Sequence, residues 1–447
     1  MKPPEPRDVP LERRLGLFDA TMIVMGGIIG SGIFINPYIV ARQLPSSWLI
    51  LLAWLCGGLI VLAGAMVYAE LAARLPEVGG QYAYLREAWH PAIAFLYGWT
   101  LLLVIQSGGM AAVAITFARY FIELTGVRGP DWGIAIAALL VLTLINCLGV
   151  RAGSTTQNVL MLLKIGAIAV LVVAGFAMAG QSRLVAEGSG EVAQSRSILF
   201  AFGAAMTPIM FSYGGWQTAS FVSSEMKNPT RDLARGVILG MAGVVVVYLS
   251  VNLVLLHVLG ADGLAESTTP ASAVMRQVLG EPGARFIALG IAISTLGFLS
   301  QSMLTAPRVY FAMARDGVFP SRVATVHKRT HVPVVAIALQ GSLAAIIALS
   351  GTYEKILGYV VSADFLFFGL TALALFRLRK TTDSSAAGTF RTPLHPWTTL
   401  LFVAASWLVV VVTFVAAPRE SLIGFVIIAS GLPVYYGWRR RTVTEVQ

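Results

Sequence analysis

Charged residues are scarce in this sequence. Only 12% of its 447 residues are Asp, Glu, Lys or Arg, and 57% are hydrophobic, whereas roughly a quarter of the residues in a soluble globular protein are charged. A water-soluble protein of this length needs a polar surface that this composition does not supply. A soluble enzyme is therefore excluded, and we expect much of the apolar surface to face lipid.

Cysteines and catalytic motifs are also few. The two cysteines, Cys56 and Cys147, lie inside apolar stretches, so we expect neither a disulfide framework nor a thiolate zinc site. Metalloprotease, serine hydrolase and P-loop motifs are absent, and the five histidines do not cluster. This argues against a membrane enzyme, and the sequence predicts no cofactor and no bound metal.

Basic residues exceed acidic residues, and the formal net charge is +10. Because the basic residues lie in short loops between apolar runs and not along one stripe, we interpret them as topology signals and expect no nucleic-acid partner. The first residues, MKPPEPRDVPLERR, are polar and Pro-rich. They lack the apolar segment of a signal peptide and are typical of a cytoplasmic tail.

Twelve apolar stretches are candidates for membrane-spanning helices, each of which needs roughly 20 mostly apolar residues. The sequence therefore predicts an all-α integral membrane protein with about 12 transmembrane helices. The predicted spans are Leu17–Val40, Trp48–Ala72, Pro91–Phe121, Trp132–Leu148, Val159–Ala179, Leu199–Ser224, Ala234–Leu259, Arg285–Ala314, Val332–Leu349, Ile356–Phe376, Thr398–Ala416 and Ser421–Trp438.

An even number of spans places both termini on the same side of the membrane. About 22 Lys and Arg residues lie in the loops on that side and about 9 on the other, so the positive-inside rule predicts cytoplasmic termini. The predicted organisation is a cytoplasmic tail over residues 1–16, five spans over 17–179, five spans over 199–378, two spans over 397–438 and a cytoplasmic tail over 439–447.

The first predicted span contains four glycines in seven positions, Gly26-Gly27-Ile28-Ile29-Gly30-Ser31-Gly32. Each glycine lowers helix stability by roughly 0.5–1 kcal/mol relative to alanine, and backbone groups released in hydrocarbon need other partners. The run indicates either a helix broken around a cavity or close helix packing of the GxxxG type. This motif alone does not decide between the two.

The sixth predicted span carries a second interruption, Phe211-Ser212-Tyr213-Gly214-Gly215-Trp216. Interruptions at corresponding places in two halves are typical of secondary transporters built from an inverted repeat, which hold the substrate near the middle of the membrane. The pair of interruptions therefore favours a binding site over simple packing.

Two broken helices offer opposite partial charges to a ligand. Free N–H groups lie at the N-terminus of a half-helix and free carbonyl groups at its C-terminus, and an α-amino acid matches both with its carboxylate and ammonium. We expect N–H groups of the first break, with the Ser31 hydroxyl, to bind the carboxylate, and carbonyl groups of both breaks to bind the ammonium. The N–H donors are those of Gly30, Ser31 and Gly32, the carbonyl acceptors are those of Ile28, Phe211 and Gly214, and Ser212, Tyr213 and Gly215 complete the candidate binding residues.

The segments GGIIGSGIFINP and MFSYGGWQTASFVSSEMKNPTRD resemble the amino acid–polyamine–organocation (APC) superfamily and, within it, bacterial relatives of the L-type amino acid transporters. The resemblance extends over essentially the whole chain. It implies a LeuT-like fold in which helices one to five repeat as helices six to ten in inverted orientation, followed by two C-terminal helices. It also implies that Phe211 closes over the bound amino acid from outside, although a packed core aromatic is the alternative.

Lys164 is a cation inside the fifth predicted span, in NVLMLLKIGAIAV, where insertion of a charge costs roughly 2.5–3.5 kcal/mol. The resemblance implies that this lysine bridges the broken first helix to the eighth, at a site that sodium occupies in ion-coupled relatives, with Ser294 or Thr295 as its eighth-helix contact. A lysine that reaches the membrane interface is the alternative. With the lysine in place of sodium, the expected activity is sodium-independent amino acid exchange by alternating access.

Proton-coupled symport is the alternative mechanism, because acids inside membranes often relay protons. Glu70 and Glu225 lie near predicted cytoplasmic ends, where solvation explains them, whereas Asp364, in VVSADFLFFG, lies deeper. A sensor that binds amino acids without transport remains a third hypothesis. A channel is disfavoured because one chain with two asymmetric breaks offers no ring of pore-lining groups.

Neutral amino acids are the expected substrates, although the sequence leaves side-chain selectivity open. The polar or small residues that can line a pocket, or can equally be packing positions, are Ser107, Gly108, Gly109, Gln217, Gln301 and Ser302. The loop after the third span, ELTGVRGPDWG, contains no cysteine. The resemblance therefore implies no disulfide-linked heavy subunit, unlike the family's animal members, and a multi-pass protein of a prokaryotic inner (plasma) membrane.

Overall fold

The structure, a computed structural model, describes residues 15–178, 198–349, 353–381 and 390–444. Within these ranges most residues are helical. The β-type pairing in these ranges is limited to an isolated bridge between Leu15 and Met226. The prediction of an all-α protein is confirmed. Most of the predicted N-terminal tail and the last three residues of the C-terminal tail lie outside the described residues.

Sixteen α-helices follow one another in the described ranges. They are α1 (Leu17–Ile28), α2 (Gly32–Ala41), α3 (Ser47–Arg74), α4 (Gln81–Ala88), α5 (Pro91–Thr100), α6 (Gln106–Thr125), α7 (Asp131–Cys147), α8 (Val150–Met178), α9 (Ile198–Tyr213), α10 (Ala234–Glu266), α11 (Pro270–Thr305), α12 (Pro307–Arg315), α13 (Val334–Ala348), α14 (Tyr353–Thr381), α15 (Trp397–Ala416) and α16 (Pro418–Thr444).

Nine helical segments of the described chain are long and apolar enough to cross a membrane. A tenth forms if α1 and α2 are taken as one span, bent by 41° at the break between them. The helices α7 and α13, of 17 and 15 residues, coincide with the fourth and ninth predicted spans but are shorter than a typical crossing. The prediction of a membrane protein is confirmed, and the total of twelve crossings stays a prediction.

Several helices end at other residues than predicted, and glycine or proline lies at these places. The helix α10 continues past the predicted end at Leu259 to Glu266, with a kink at Gly260 where φ is 72°. The predicted eighth span is divided in two, because α11 ends at Thr305 and Pro307 begins α12. Proline has no N–H to continue the ladder of the preceding helix, so it is placed at the first turn of a new one.

The first helix is enclosed by later ones. The helix α1 packs against α8, α10 and α11, and α11 makes its most extensive contact with α8. Small residues permit the α8 to α11 contact, since a Cβ atom on Gly290 would lie 2.5 Å from Cβ of Ala167. The outer face of α8 exposes Leu162, Leu163 and Val173, as expected for a surface that faces lipid.

Candidate functional site

The first helix is broken between Ile28 and Gly32, where the sequence predicts an interruption. The N–H of Gly30 donates to the carbonyl oxygen of Ile28 at 2.8 Å. The Gly30 N–H is therefore not free, contrary to the prediction. The N–H groups of Ser31 and Gly32 have no acceptor within the described part of the chain. Ser31 immediately precedes α2 and Gly32 is its first residue.

The sixth predicted span is broken after Tyr213, the last residue of α9. Gly214 and Gly215 form a turn, and a 3₁₀ helix follows over Trp216–Glu225. Gly215 has a φ of 105°, a backbone conformation that residues other than glycine rarely adopt. The second interruption thus also lies where the sequence places it.

Side chains join the two breaks to each other. The amide of Asn36 on α2 donates to the Ser212 hydroxyl at 2.7 Å and to the Pro208 carbonyl at 2.9 Å. The Tyr248 hydroxyl on α10 lies 3.0 Å from the carbonyl oxygen of Ile28 and 2.9 Å from that of Ser212. These contacts fix the relative position of the two unwound segments.

Both breaks line one cavity, whose empty volume, together with the open solvent at its mouth, is about 660 Å³. The hydroxyl of Ser31 is buried in its wall and has no hydrogen-bond partner among the described residues. The predicted binding residues found in the wall are Ile28, Gly30, Ser31, Gly32, Phe211, Ser212, Gly214 and Gly215.

Tyr213, the remaining predicted binding residue, does not line the cavity. Its ring packs against Trp54 and Tyr248, with centroids 5.7 and 5.0 Å away, and its hydroxyl donates to the Trp54 carbonyl at 3.2 Å. The ring is thus committed to the packing of α9 against α3 and α10. Its predicted role in substrate binding stays a prediction.

Two of the three carbonyl groups predicted to bind an ammonium already accept hydrogen bonds. The Ile28 oxygen has two protein donors, Gly30 N–H and the Tyr248 hydroxyl. It is therefore not a free acceptor, contrary to the prediction. The Phe211 oxygen accepts from Gly214 N–H at 3.1 Å. The Phe211 oxygen therefore already has a donor within the second break.

Lys164 is fully buried and its ammonium donates to the carbonyl oxygen of Ile29, inside the first break. It therefore does not reach the membrane interface. A Cβ atom on Gly297 would lie 3.6 Å from its Nζ, which places the ammonium against α11.

The predicted bond between Lys164 and Ser294 is absent from the described residues. The Ser294 hydroxyl instead lies 3.5 Å from the Gly30 carbonyl oxygen, next to the Ile29 carbonyl that Lys164 contacts. Lys164 and Ser294 thus meet the same break from two helices. The Thr295 hydroxyl, the other candidate, donates to Ala292 O of its own helix at 2.8 Å.

Glu70 and Glu225 are buried and ion-paired. From the sequence we expect both acids to be solvated, and the structure differs. Glu70 accepts from Arg74 and Arg379 at 2.8 and 2.6 Å, and Glu225 accepts from Arg308 at 2.8 Å. These pairs neutralise both acids. Asp364 differs, because it lines the cavity, is 7% exposed and has an Oδ1 without a hydrogen-bond partner in the described chain.

Glu225 belongs to a set of contacts that closes one end of the molecule. The Leu15 N–H donates to the Glu225 carbonyl at 3.0 Å, and the Lys227 N–H donates to the Leu15 carbonyl at 2.8 Å. The Ser223 hydroxyl donates to the Glu77 carbonyl at 2.6 Å. The start of α1, the segment after α9 and the connection after α3 are tied together there.

Sequence reasoning missed Gln106 and Phe298, which both line the cavity. Gln106 follows a π-helical turn, Leu101–Ile105, between α5 and α6; such turns shift the face of a helix and often occur at functional sites. The Phe298 ring lies over Gly30, where a Cβ atom would be 3.1 Å away. Apolar periodicity gives no signal for either residue.

Of the predicted pocket residues, Gly109, Gln217, Gln301 and Ser302 are in the cavity wall. Ser107 and Gly108 are not among the residues that line it. The Ser107 hydroxyl instead lies 3.4 Å from the Gln340 amide.

The sequence profile of the amino acid permease family matches residues 15–437. The chain belongs to this family. The permease is 32% identical to the serine/threonine exchanger SteT of Bacillus subtilis over 442 residues, 96% of this chain and 98% of SteT. It is 28% identical to the b(0,+)-type amino acid transporter 1 of Mus musculus over 444 residues, 96% of this chain and 90% of that one.

A third relative is the large neutral amino acids transporter small subunit 2 of Mus musculus. It is 29% identical over 437 residues, 96% of the permease and 81% of the relative. Membership of the APC superfamily and the likeness to L-type transporters are confirmed. The permease is an amino acid transporter of the membrane and not an enzyme.

Proposed function

We propose that this permease exchanges L-amino acids by alternating access, without sodium, and holds the amino acid backbone between its two broken helices. The observation that carries the proposal is the shared cavity, in which the unpartnered Ser31 hydroxyl and the start of α2 face the break after Tyr213. The names of the relatives support exchange and amino acid substrates.

The substrate carboxylate binds at the N-terminus of α2. A helix N-terminus carries a partial positive charge, and the N–H groups of Ser31 and Gly32 have no acceptor in the described chain. The Ser31 hydroxyl adds a third donor from a buried position. Gly30 contributes space and not an N–H, because its N–H is engaged.

The substrate ammonium binds at the C-terminus of α9, where a helix carries partial negative charge. The carbonyl groups of Phe211 and Gly214 are the candidate acceptors, because both residues line the cavity at the second break. Phe211 is half-buried in the cavity wall, and its ring is our candidate gate on the outer side. The carboxylate and ammonium poles thus come from different breaks.

Lys164 and Ser294 are the proposed coupling residues. A buried ammonium beside a backbone carbonyl of the first break provides the positive charge that a bound sodium ion would otherwise supply. The Ser294 hydroxyl lies 3.5 Å from the carbonyl oxygen of Gly30, the residue after Ile29. Because this cation is covalently part of α8, transport needs no sodium gradient.

Neutral amino acids are the first substrates to test. Gln217, Gln301 and Ser302 give the cavity wall uncharged polar groups, and Gly109 leaves space. The names of SteT and of the large neutral amino acids transporter agree with this choice.

The test is counterflow in proteoliposomes that contain the purified permease. Labelled L-serine or L-leucine should enter vesicles loaded with unlabelled L-serine at least ten times faster than empty vesicles. Replacement of sodium by choline should not change the rate. Strict dependence on sodium would remove the role of Lys164, and equal uptake into empty vesicles would remove exchange.

Proton-coupled symport is the second candidate, and Asp364 favours it, because its Oδ1 is buried without a hydrogen-bond partner among the described residues. In that mechanism an inward proton gradient drives net uptake into empty vesicles, and a protonophore abolishes it. A sensor would bind amino acids and show neither counterflow nor net uptake.

The proposed setting is a prokaryotic inner membrane with both termini cytoplasmic and no disulfide-linked heavy subunit. The two cysteines lie half-buried inside α3 and α7, where a thiol of a partner's soluble domain has poor access. Labelling of single cysteines introduced at residues 2 and 446 by an impermeant maleimide tests the orientation in right-side-out vesicles. Labelling of either cysteine in intact vesicles, before lysis, would contradict the cytoplasmic location of the termini.

A further inference from the structure

Basic and apolar side chains lie together on the exposed surface where α14 ends and α15 begins. We propose that this surface, formed by Arg377, Lys380, Arg391, Leu394 and Trp397, binds the headgroup and upper acyl chains of an anionic phospholipid. We name it the α14–α15 corner. The proposed orientation places it in the cytoplasmic leaflet. The corner lies outside the substrate cavity, so its test does not require exchange activity.

The helix α15 indicates the level of the membrane surface. Its exposed apolar residues recur one or two turns apart and form a lipid-facing stripe of Trp397, Leu401, Leu408, Val411 and Val415. Trp397, which is 74% exposed, is the first residue of α15 and ends the stripe. Tryptophan is enriched where the hydrocarbon meets the lipid headgroups. The first turn of α15 therefore lies at the level of the headgroups.

Leu394 has a conformation and an exposure that a contact with lipid explains. Its side chain is 81% exposed, three residues before Trp397. Its φ of 52° lies in the left-handed region, which leucine adopts only at an energetic cost. Exposure of leucine to water offers no compensation for this cost, whereas burial among acyl chains is favourable.

The segment before α15 is fixed by its neighbours, so its exposed residues do not result from a lack of contacts. The Thr392 N–H donates to the Glu70 carboxylate at 2.7 Å, and the Thr392 hydroxyl donates to the Met66 carbonyl at 3.2 Å. The ring centroids of His395 and Phe376 lie 4.7 Å apart. These contacts hold the segment against α3 and α14.

The contact between Phe376 and His395 also places cations beside the apolar residues. Arg377 follows Phe376 in α14, and Lys380 lies one turn after Phe376 on the same face. Arg377 and Lys380 are exposed, and neither forms an ion pair within the described chain. Arg391, which is also exposed, belongs to the segment before α15. The corner thus carries three cations.

No acid of the described corner balances these cations. Residues 371–381 and 390–397 contain neither Asp nor Glu. The buried carboxylate of Glu70 is already paired with Arg74 and Arg379. A phosphate diester supplies negative charge, and basic residues near the membrane surface attract anionic lipids. Because exposed apolar residues adjoin the cations, the corner fits a phospholipid and not a soluble anion.

Thermal unfolding of the purified permease in a nonionic detergent tests the proposal. Dioctanoyl phosphatidylglycerol is the anionic probe, and dioctanoyl phosphatidylcholine, with the same acyl chains, is the control without net charge. Phosphatidylglycerol should raise the unfolding midpoint and reach half of its maximum effect at a concentration at least tenfold lower than phosphatidylcholine. Glycerol phosphate, which has no acyl chains, should not shift the midpoint. Equal effects of the two lipids, or of glycerol phosphate and phosphatidylglycerol, would overturn the proposal.

Two double variants test whether the lipid binds at the corner. In Arg377→Gln/Lys380→Gln, the half-maximal concentration of phosphatidylglycerol should rise at least tenfold, because two of the three cations are removed. The matched control is Lys328→Gln/Arg329→Gln, which removes two exposed positive charges from the connection between α12 and α13 and should change this concentration less than twofold. Equal changes in both variants would indicate attraction to total charge and would contradict the assignment.

Leu394→Asn tests the apolar part of the corner without removal of a charge. Asparagine tolerates the left-handed conformation, so the unfolding midpoint without added lipid should not fall. The half-maximal concentration of phosphatidylglycerol should rise about fivefold, because asparagine offers no apolar side chain to the acyl chains. An unchanged concentration would show that Leu394 does not contact lipid and would overturn the proposed site.

Discussion

Gly27 and Gly215 bring the backbones of the two broken helices into direct contact. A methyl group on Gly27 would lie 2.8 Å from the carbonyl oxygen of Gly215. The same oxygen accepts from the Thr218 hydroxyl at 2.6 Å, and the Gln301 amide donates to that hydroxyl at 2.6 Å. A hydrogen-bonded chain from α11 therefore reaches the contact between the breaks.

We expect Gly27→Ala to reduce exchange at least tenfold, because the added methyl has to separate two backbones and cannot simply displace a flexible side chain. Overpacking of this kind costs about 1–3 kcal/mol, enough to shift the geometry of the site. Initial rates of counterflow, normalised to reconstituted protein, provide the measurement. Gly166→Ala is the control, since Gly166 is exposed on α8 and has no atom within 4 Å of an added Cβ. Equal rates in both variants would contradict this role of the contact.

The broken helices could be predicted because their cause is local. Four glycines in seven positions weaken the first helix, and the Gly214-Gly215 pair, at the corresponding place in the second half, decides in favour of two breaks over close packing. The apolar runs likewise locate most of the helices. Both kinds of signal depend on residues close together in the chain.

The partners of each polar group could not be predicted because they depend on distant residues. Tyr213 belongs to the packing against Trp54, the Ile28 carbonyl is occupied by Tyr248, and Gln106 reaches the cavity through a π-helical turn. Glu225 is neutralised by Arg308, more than eighty residues later in the chain. One sequence shows no such pairing.

Lys164→Met should lower exchange at least tenfold with little loss of folded protein. Methionine fills similar volume in the apolar interior but leaves the Ile29 carbonyl without its charged donor. Counterflow rates and gel-filtration profiles in detergent are the measurements. Leu163→Met, at an exposed position one residue away on the same helix, is the matched control and should behave as the unmodified permease. Normal exchange in Lys164→Met would exclude a coupling role.

Glu225 and Arg308 should show strong coupling in a double-mutant cycle. Both side chains are fully buried, so removal of one partner leaves an uncompensated charge and costs about 3–5 kcal/mol. We expect Glu225→Gln and Arg308→Met each to lower the thermal unfolding midpoint strongly, and the double variant to be less destabilised than the sum of the two. Additive effects would show that the pair does not interact. Arg276 and Glu281, an exposed pair 2.9 Å apart, serve as the comparison and should show weak coupling.

Tyr248→Phe should weaken substrate binding without removing transport. The Tyr248 hydroxyl contacts carbonyl oxygens of both breaks, Ile28 and Ser212, while its ring packs against Trp54 and Tyr213. Phenylalanine retains the ring contacts and removes the link between the breaks. A lost hydrogen bond of this type is worth about 1 kcal/mol, so KM for L-serine counterflow should rise about fivefold.

The sign of the Tyr248→Phe effect separates two roles of the hydroxyl. If it aligns the breaks for the substrate, KM rises and Vmax changes little. If the hydroxyl instead holds the permease in one conformation that has to open, Vmax rises and KM falls. Tyr436→Phe, at an exposed position on α16, is the control for loss of a tyrosine hydroxyl as such and should leave both constants unchanged. Unchanged constants in Tyr248→Phe would mean that the carbonyl oxygens find other donors, and that packing between α2, α9 and α10 alone aligns the two breaks.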